Sequence, residues 1–120
     1  MEKYLSYLNP STVEEVTDMM DGDSEMIIDL IDTLLETTPE LMDELALAVP
    51  QGDAHAIREA AHALKSSTAQ MGALSFSELS RQMEDFGKNQ QVSQSRELWP
   101  KLQAEHVLMT QALKDWKSIL

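Results

Sequence analysis

Residues 53 to 72 commit this chain to helices that need other helices. At about 100° per residue, Ile57, Ala60, Ala61, Leu64, Ser67, Thr68 and Met71 fall on one stripe. Asp53 stands where an N-cap belongs, and Gly72 where a helix stops. An apolar stripe of this width is stable only when covered, so the rest of the chain must supply the cover. His62 lies about 160° round the helix from Leu64 and should therefore face solvent. His55, Arg58, Glu59, Ser66 and Ala69 share that outward side, with Lys65 at its flank.

The other segments read as the covering helices. Ser11, with Glu14 at the capping-box position, opens a short helix to about Met20, and Asp21-Gly22-Asp23 ends it. Ser24 is expected to cap a helix to Thr37 with Ile27, Ile28, Leu30, Ile31, Leu34 and Leu35 inward. Thr38-Pro39 reads as an N-cap followed by proline at the first helical position, so a separate helix should run to Val49 and stop at Pro50-Gln51-Gly52. A helix from Ser75 to Phe86 buries Phe76, Leu79, Met83 and Phe86, and Gly87-Lys88-Asn89 closes it. The last helix runs from Gln91–Ser93 to Ile119. Pro100 should kink or break it, and Leu102, His106, Met109, Leu113, Trp116 and Leu120 form its seam. Tyr4, Leu5, Tyr7 and Leu8 suggest a short turn whose rings pack on the bundle.

No strand pattern, internal repeat, linker or low-complexity tract interrupts this series. The expected fold is all-α: an up-down antiparallel four-helix bundle with a short N-terminal helix and a long, proline-containing C-terminal helix. Residues 1–120 are read as one domain, of a length suited to one core. A methionine at position 1 and a full set of helices suit a free-standing module.

Charge narrows the function. Twenty-one acidic residues against nine basic ones give a net charge of −12, which argues against nucleic acid and anionic membranes as partners. No apolar run reaches the ~20 residues of a membrane span, and no signal-peptide pattern is present, so the cytoplasm is the expected compartment. The absence of cysteine excludes disulfides, thiolate metal sites and thiol catalysis. Fourteen of the acids lie in residues 1–57 with Lys3 as the only base, while residues 58–120 hold seven acids and eight bases. Such an acidic half keeps a small protein soluble, and it also leaves His62 where the field is least negative.

A lone exposed histidine is by itself an ordinary surface residue. The neighbours of His62 distinguish it. Lys65 at i+3 and Arg58 at i−4 can both reach a group attached to the ring, and would pair with a phosphoryl group there. Ala63, Ser66 and Ala69 are short, so another protein could approach the ring closely.

The run His62-Ala63-Leu64-Lys65-Ser66-Ser67, followed by Gly72, resembles the signature of the histidine-phosphotransfer (HPt) domains of bacterial multistep phosphorelays, roughly H-x-L-K-G-S with a later glycine. Ser66 departs from the family's usual glycine but is still small. The resemblance covers essentially the whole chain. It implies that His62 is the phosphoacceptor and that Lys65, with Arg58 as a second cation, offsets the phosphoryl charge. Glu84 and Lys88 would lie where the family often has polar residues near that group. Partner docking would fall on Ala63, Ser66, Ala69, Glu84 and Lys88. The implied partners are receiver domains of a hybrid sensor kinase or a response regulator, which would supply the phospho-aspartate and the magnesium. The protein would be a monomer with no cofactor of its own.

Competing constellations are weaker. Glu59-x-x-His62 matches half of a di-iron site, but no second such pair exists and both residues face outward. His55 and His62 are roughly 10 Å apart along the axis, too far to chelate one ion. His106 occupies a seam position and reads as a half-buried histidine, and the eight methionines read as core filler. No glycine-rich phosphate loop or kinase nucleotide motif is present, so a phosphotransfer intermediate and not a kinase is expected. The alternative is a helical adaptor that binds a partner through the same face without being phosphorylated.

Overall fold

Asn9, not Ser11, opens the first helix. Its side-chain oxygen accepts a hydrogen bond from the Thr12 amide at 3.0 Å, and Pro10 takes the first helical position, where its missing N–H costs nothing. A computed structural model describes residues 2–120, and in it this helix, α1, spans Pro10–Met19. The next cap is likewise earlier than the sequence suggests, here by one residue. Asp23 accepts from the amides of Glu25 and Met26 at 3.0 and 3.2 Å, because a carboxylate outcompetes the neighbouring serine for these donors.

The largest departure from expectation is α2, Ser24–Gln51, which is one helix where two were expected. Thr38 does not cap a new helix. It is buried, and its hydroxyl donates back to the Leu34 carbonyl at 2.9 Å. Ile27, Ile31, Leu34, Thr38, Met42, Leu45 and Val49 form one unbroken buried stripe, and a break at residue 38 would have split it. Pro39 is exposed, so the hydrogen bond it cannot make is lost where water can substitute. At about 1.5 Å per residue, 28 residues span ~42 Å, matching the 43 Å long axis of the protein.

The remaining helices are α3, Ala54–Gln70, α4, Leu74–Lys88, and α5, Val92–Ser118, which runs through Pro100 as a single element. Helix α2 packs on α3 and α5, α3 on α4, and α4 on α5, closing the expected all-α, antiparallel four-helix bundle. Ile31, Leu45, Ile57, Leu64, Phe76 and Leu113 lie fully buried at its centre.

Two tethers complete the bundle. The last turn of α2 has no basic residue, and Arg96 of α5 fills that role: its guanidinium donates to the Val49 and Pro50 carbonyls at 3.2 and 3.1 Å. This places a cation at the negative end of the α2 dipole. At the N-terminus, a 3-10 turn at Lys3–Ser6 lies on α5. Tyr4 stacks on Trp116 with ring centroids 6.0 Å apart, and the Tyr7 hydroxyl donates to the Glu105 carboxylate at 2.6 Å. Burial first, and that carboxylate second, push the Tyr7 phenol well above its ordinary pKa. His106 is half-buried beside Phe76, with its Nε2 unpartnered, and burial lowers its pKa.

Gly72 and Gly87 are both contact points. Gly72, at φ +84°, accepts the Asn9 amide at 2.9 Å, and a Cβ there would meet Thr12 Cβ at 3.1 Å. Gly87 lies in the last turn of α4, which ends at Lys88 with Asn89 as its C-cap, as the sequence suggested. It is buried, and a Cβ would lie 2.7 Å from the Arg58 nitrogen and 2.8 Å from the Ala54 carbonyl oxygen. Both are backbone atoms of α3, so only glycine lets the two helices meet this closely.

Gly87→Ala should therefore lower the melting temperature, although alanine is intrinsically the better helix former by up to ~1 kcal/mol. Overpacking costs roughly 1–3 kcal/mol when backbones must separate. Thermal unfolding checks this, and an unchanged or raised midpoint would show that α3 and α4 part without strain.

Candidate functional site

The site is built on α3. Asp53 caps it, accepting from the Ala56 amide at 3.0 Å. The buried stripe of Ile57, Ala60, Ala61, Leu64 and Thr68 fixes the rotation of the helix about its axis. Thr68 and Ser67 donate back to the Leu64 and Ala63 carbonyls at 2.7 and 2.9 Å, so these inward hydroxyls have partners. With the stripe pinned, the His62 side chain stands outward and is 62% exposed.

Helix α4 is locked to α3 at two heights. Ser77 donates to the Lys65 carbonyl at 2.8 Å, and Gly87 seats against Arg58. Residues 77, 84 and 87 share one face of α4 at spacings of seven and three. Glu84 is thereby brought over α3 between the two contacts, opposite His62 and Lys65.

There the Glu84 carboxylate bridges both residues. One oxygen accepts from the Lys65 ammonium at 2.6 Å, and the other is bonded to His62 Nδ1. The Glu84 side chain is only 13% exposed. Burial pushes its carboxyl upward, but the hydrogen bonds and charges of Lys65 and His62 outweigh burial and hold it below the usual glutamate value. An ionised carboxylate only accepts, so Nδ1 is the donor in this bond. Nε2 then points away from Glu84 toward solvent. A carboxylate on Nδ1–H fixes the tautomer and steadies the positive charge that develops when the other nitrogen attacks an electrophile.

Ser66 is exposed beside this ring, and Ala63 and Ala69 are half-buried, which leaves the approach to Nε2 open. Arg58 and Lys88 are both exposed, and among the described residues neither forms an ion pair. His55 and Glu59 are exposed on the same side of α3. Among the described residues no three His, Asp or Glu side chains converge to hold a metal ion. Among the described residues no helix is long and apolar enough to cross a membrane.

Sequence reasoning singled out Glu84 only by resemblance and missed that it joins His62 to Lys65. Ser77, Glu84 and Gly87 share one face of α4, but their meaning is readable only once that face is known to meet α3.

Comparison with known proteins agrees with this fold. The model of the Hpt domain family matches residues 29–116. The chain superposes on the crystal structure of histidine-containing phosphotransfer protein B (HptB) from Pseudomonas aeruginosa PAO1 with a TM-score of 0.87 at 20% identity, covering 95% of this chain and 96% of that one. At that identity the likeness speaks for the fold. No curated protein matches by sequence.

The bridge has a pH signature. The Glu84 carboxyl is held below its ordinary value in the folded state, so its contribution to stability is full above about 4.5 and is lost as pH falls through the folded-state value. Melting midpoints of wild type and Glu84→Gln should differ at neutral pH and converge as pH falls from 5 toward 3. A gap that stays constant over that range would mean the bridge contributes nothing.

Proposed function

We propose, from the premise that this chain belongs to the Hpt domain family, that it relays phosphoryl groups through His62 between receiver domains. Family membership supports a histidine phosphotransfer role in phosphorelays, as an intermediate rather than a kinase. The observation that carries the assignment to His62 is the Glu84 bond to Nδ1, which turns Nε2 toward the exposed face.

In the proposed reaction, the Nε2 lone pair attacks the phosphorus of a receiver's aspartyl phosphate. The N–P bond forms as the P–O bond breaks, and its electron pair leaves on the receiver's carboxylate. The Nδ1 proton stays on the ring, and the resulting imidazolium sits against Glu84. Onward transfer reverses these steps with a second receiver, and neutral imidazole is the leaving group. In-line attack requires room on the far side of the phosphorus, and Ala63, Ser66 and Ala69 provide it. Lys65, bonded to Glu84, is the cation beside the ring, and Arg58 and Lys88 are exposed cations on α3 and α4. Magnesium belongs to the receiver in this scheme, so the chain needs no cofactor of its own.

A purified phosphorylated receiver should transfer label to wild type, yielding an acid-labile, base-stable adduct. His62→Gln should take up none while remaining folded and helical, since the buried stripe of α3 is untouched. Label retained by His62→Gln, or lost instead in His55→Gln, would refute the assignment. An unlabelled wild type that still binds receivers would point to the adaptor role.

Ser66→Leu tests the docking face separately. It should slow transfer from every receiver without altering helicity. An unchanged rate would move the docking surface elsewhere.

A further inference from the structure

We infer that Glu84 limits the lifetime of the phosphohistidine by holding Lys65, an inference that rests on His62 being the acceptor. The lysine beside the histidine is not a free cation. Its ammonium is 2.6 Å from Glu84 Oε1, and the same carboxylate holds Nδ1. Lys65 is 32% exposed and Glu84 13%, so the pair is sheltered from much of the screening that weakens surface ion pairs.

A phosphoryl group forms on Nε2, at the opposite edge of the ring from Glu84. Two arrangements then compete. Lys65 stays with Glu84, and the phosphoryl oxygens lack their nearest cation. Otherwise Lys65 swings to the phosphoryl group, and a sheltered carboxylate loses a charge-assisted partner while a second anion stands nearby. Either way the phosphorylated state is less stable than it would be beside an unclaimed lysine. Arg58 and Lys88 do not remove the competition, because both are exposed and screened.

Loss of the group to water makes this competition measurable. Water attacks the phosphorus, the P–N bond breaks, and its electron pair returns to Nε2. The Nδ1 proton stays on the ring, and the water's two protons leave on inorganic phosphate. The more weakly the phosphoryl group is held, the faster this step and the onward transfer both run. Glu84 thus favours quick passage over storage.

The experiment uses the full chain, labelled by a phosphorylated receiver that is then removed, and follows phosphohistidine decay. Glu84→Gln keeps the shape and an acceptor for Nδ1 but releases the lysine. Its phosphohistidine should outlive wild type by roughly two- to fivefold, the range expected of a partly exposed ion pair. In a Lys65→Met background the same substitution should bring no gain, and added salt should shrink the gain in the single variant. Decay of Glu84→Gln at or above the wild-type rate overturns the inference. So does a gain that survives intact with Lys65→Met, because the carboxylate would then act through the ring alone. In both cases label still appears on His62 and the phosphotransfer reading stands. A wild type that takes no label removes that reading and this inference together.

Discussion

The backbone-to-backbone approach of α3 and α4 at Gly87 governs the rest of the site. A side chain there would drive α4 away from Arg58 and Ala54, and Glu84 lies less than one turn further up the same face. Its bonds to His62 and Lys65 depend on a helix separation that glycine alone permits. Ser77 supplies the second fixed point by bonding the Lys65 carbonyl. Between these two points α4 has little freedom to slide or roll, so the reactive ring is oriented by main-chain packing and not by a loop. Sites held on paired helices keep their geometry better than sites held on loops.

The charge asymmetry takes on a different meaning in three dimensions. The acids of the first half need not be only a solvated face. Lys117 of α5 reaches Asp32 of α2 at 2.7 Å, and Arg96 of α5 binds the end of α2. Part of the basic second half therefore answers the acidic first half across the bundle. The cations near His62 are a separate group on α3 and α4.

Much of the fold was legible because burial has a period. The stripe from Ile57 to Met71 fixed both the helix and the outward direction of His62, and the seam through Leu102, Met109 and Trp116 marked α5. What misled was local punctuation. Thr38-Pro39 carries a strong signal for a helix end, yet it lies inside a helix because the continuous buried stripe of α2 outweighs the local preference. Gly87 does mark the end of α4, but nothing local shows that it also seats against the α3 backbone. The same limit hid the Glu84 bridge. It depends on the register between two helices, and neither helix encodes that register alone.

The N-terminal turn has a consequence for rates. Tyr7 meets Glu105 across 98 residues of chain, whereas α3 and α4 are joined by a short turn. Loop closure is entropically costlier over long separations, so the α3–α4 pair can form early while the N-terminal turn docks late. Interactions made after the folding barrier act mainly on the rate of unfolding. Tyr4 and Tyr7 would then decide how long the assembled bundle persists far more than how fast it assembles, and its kinetic endurance would reside in a turn remote from His62.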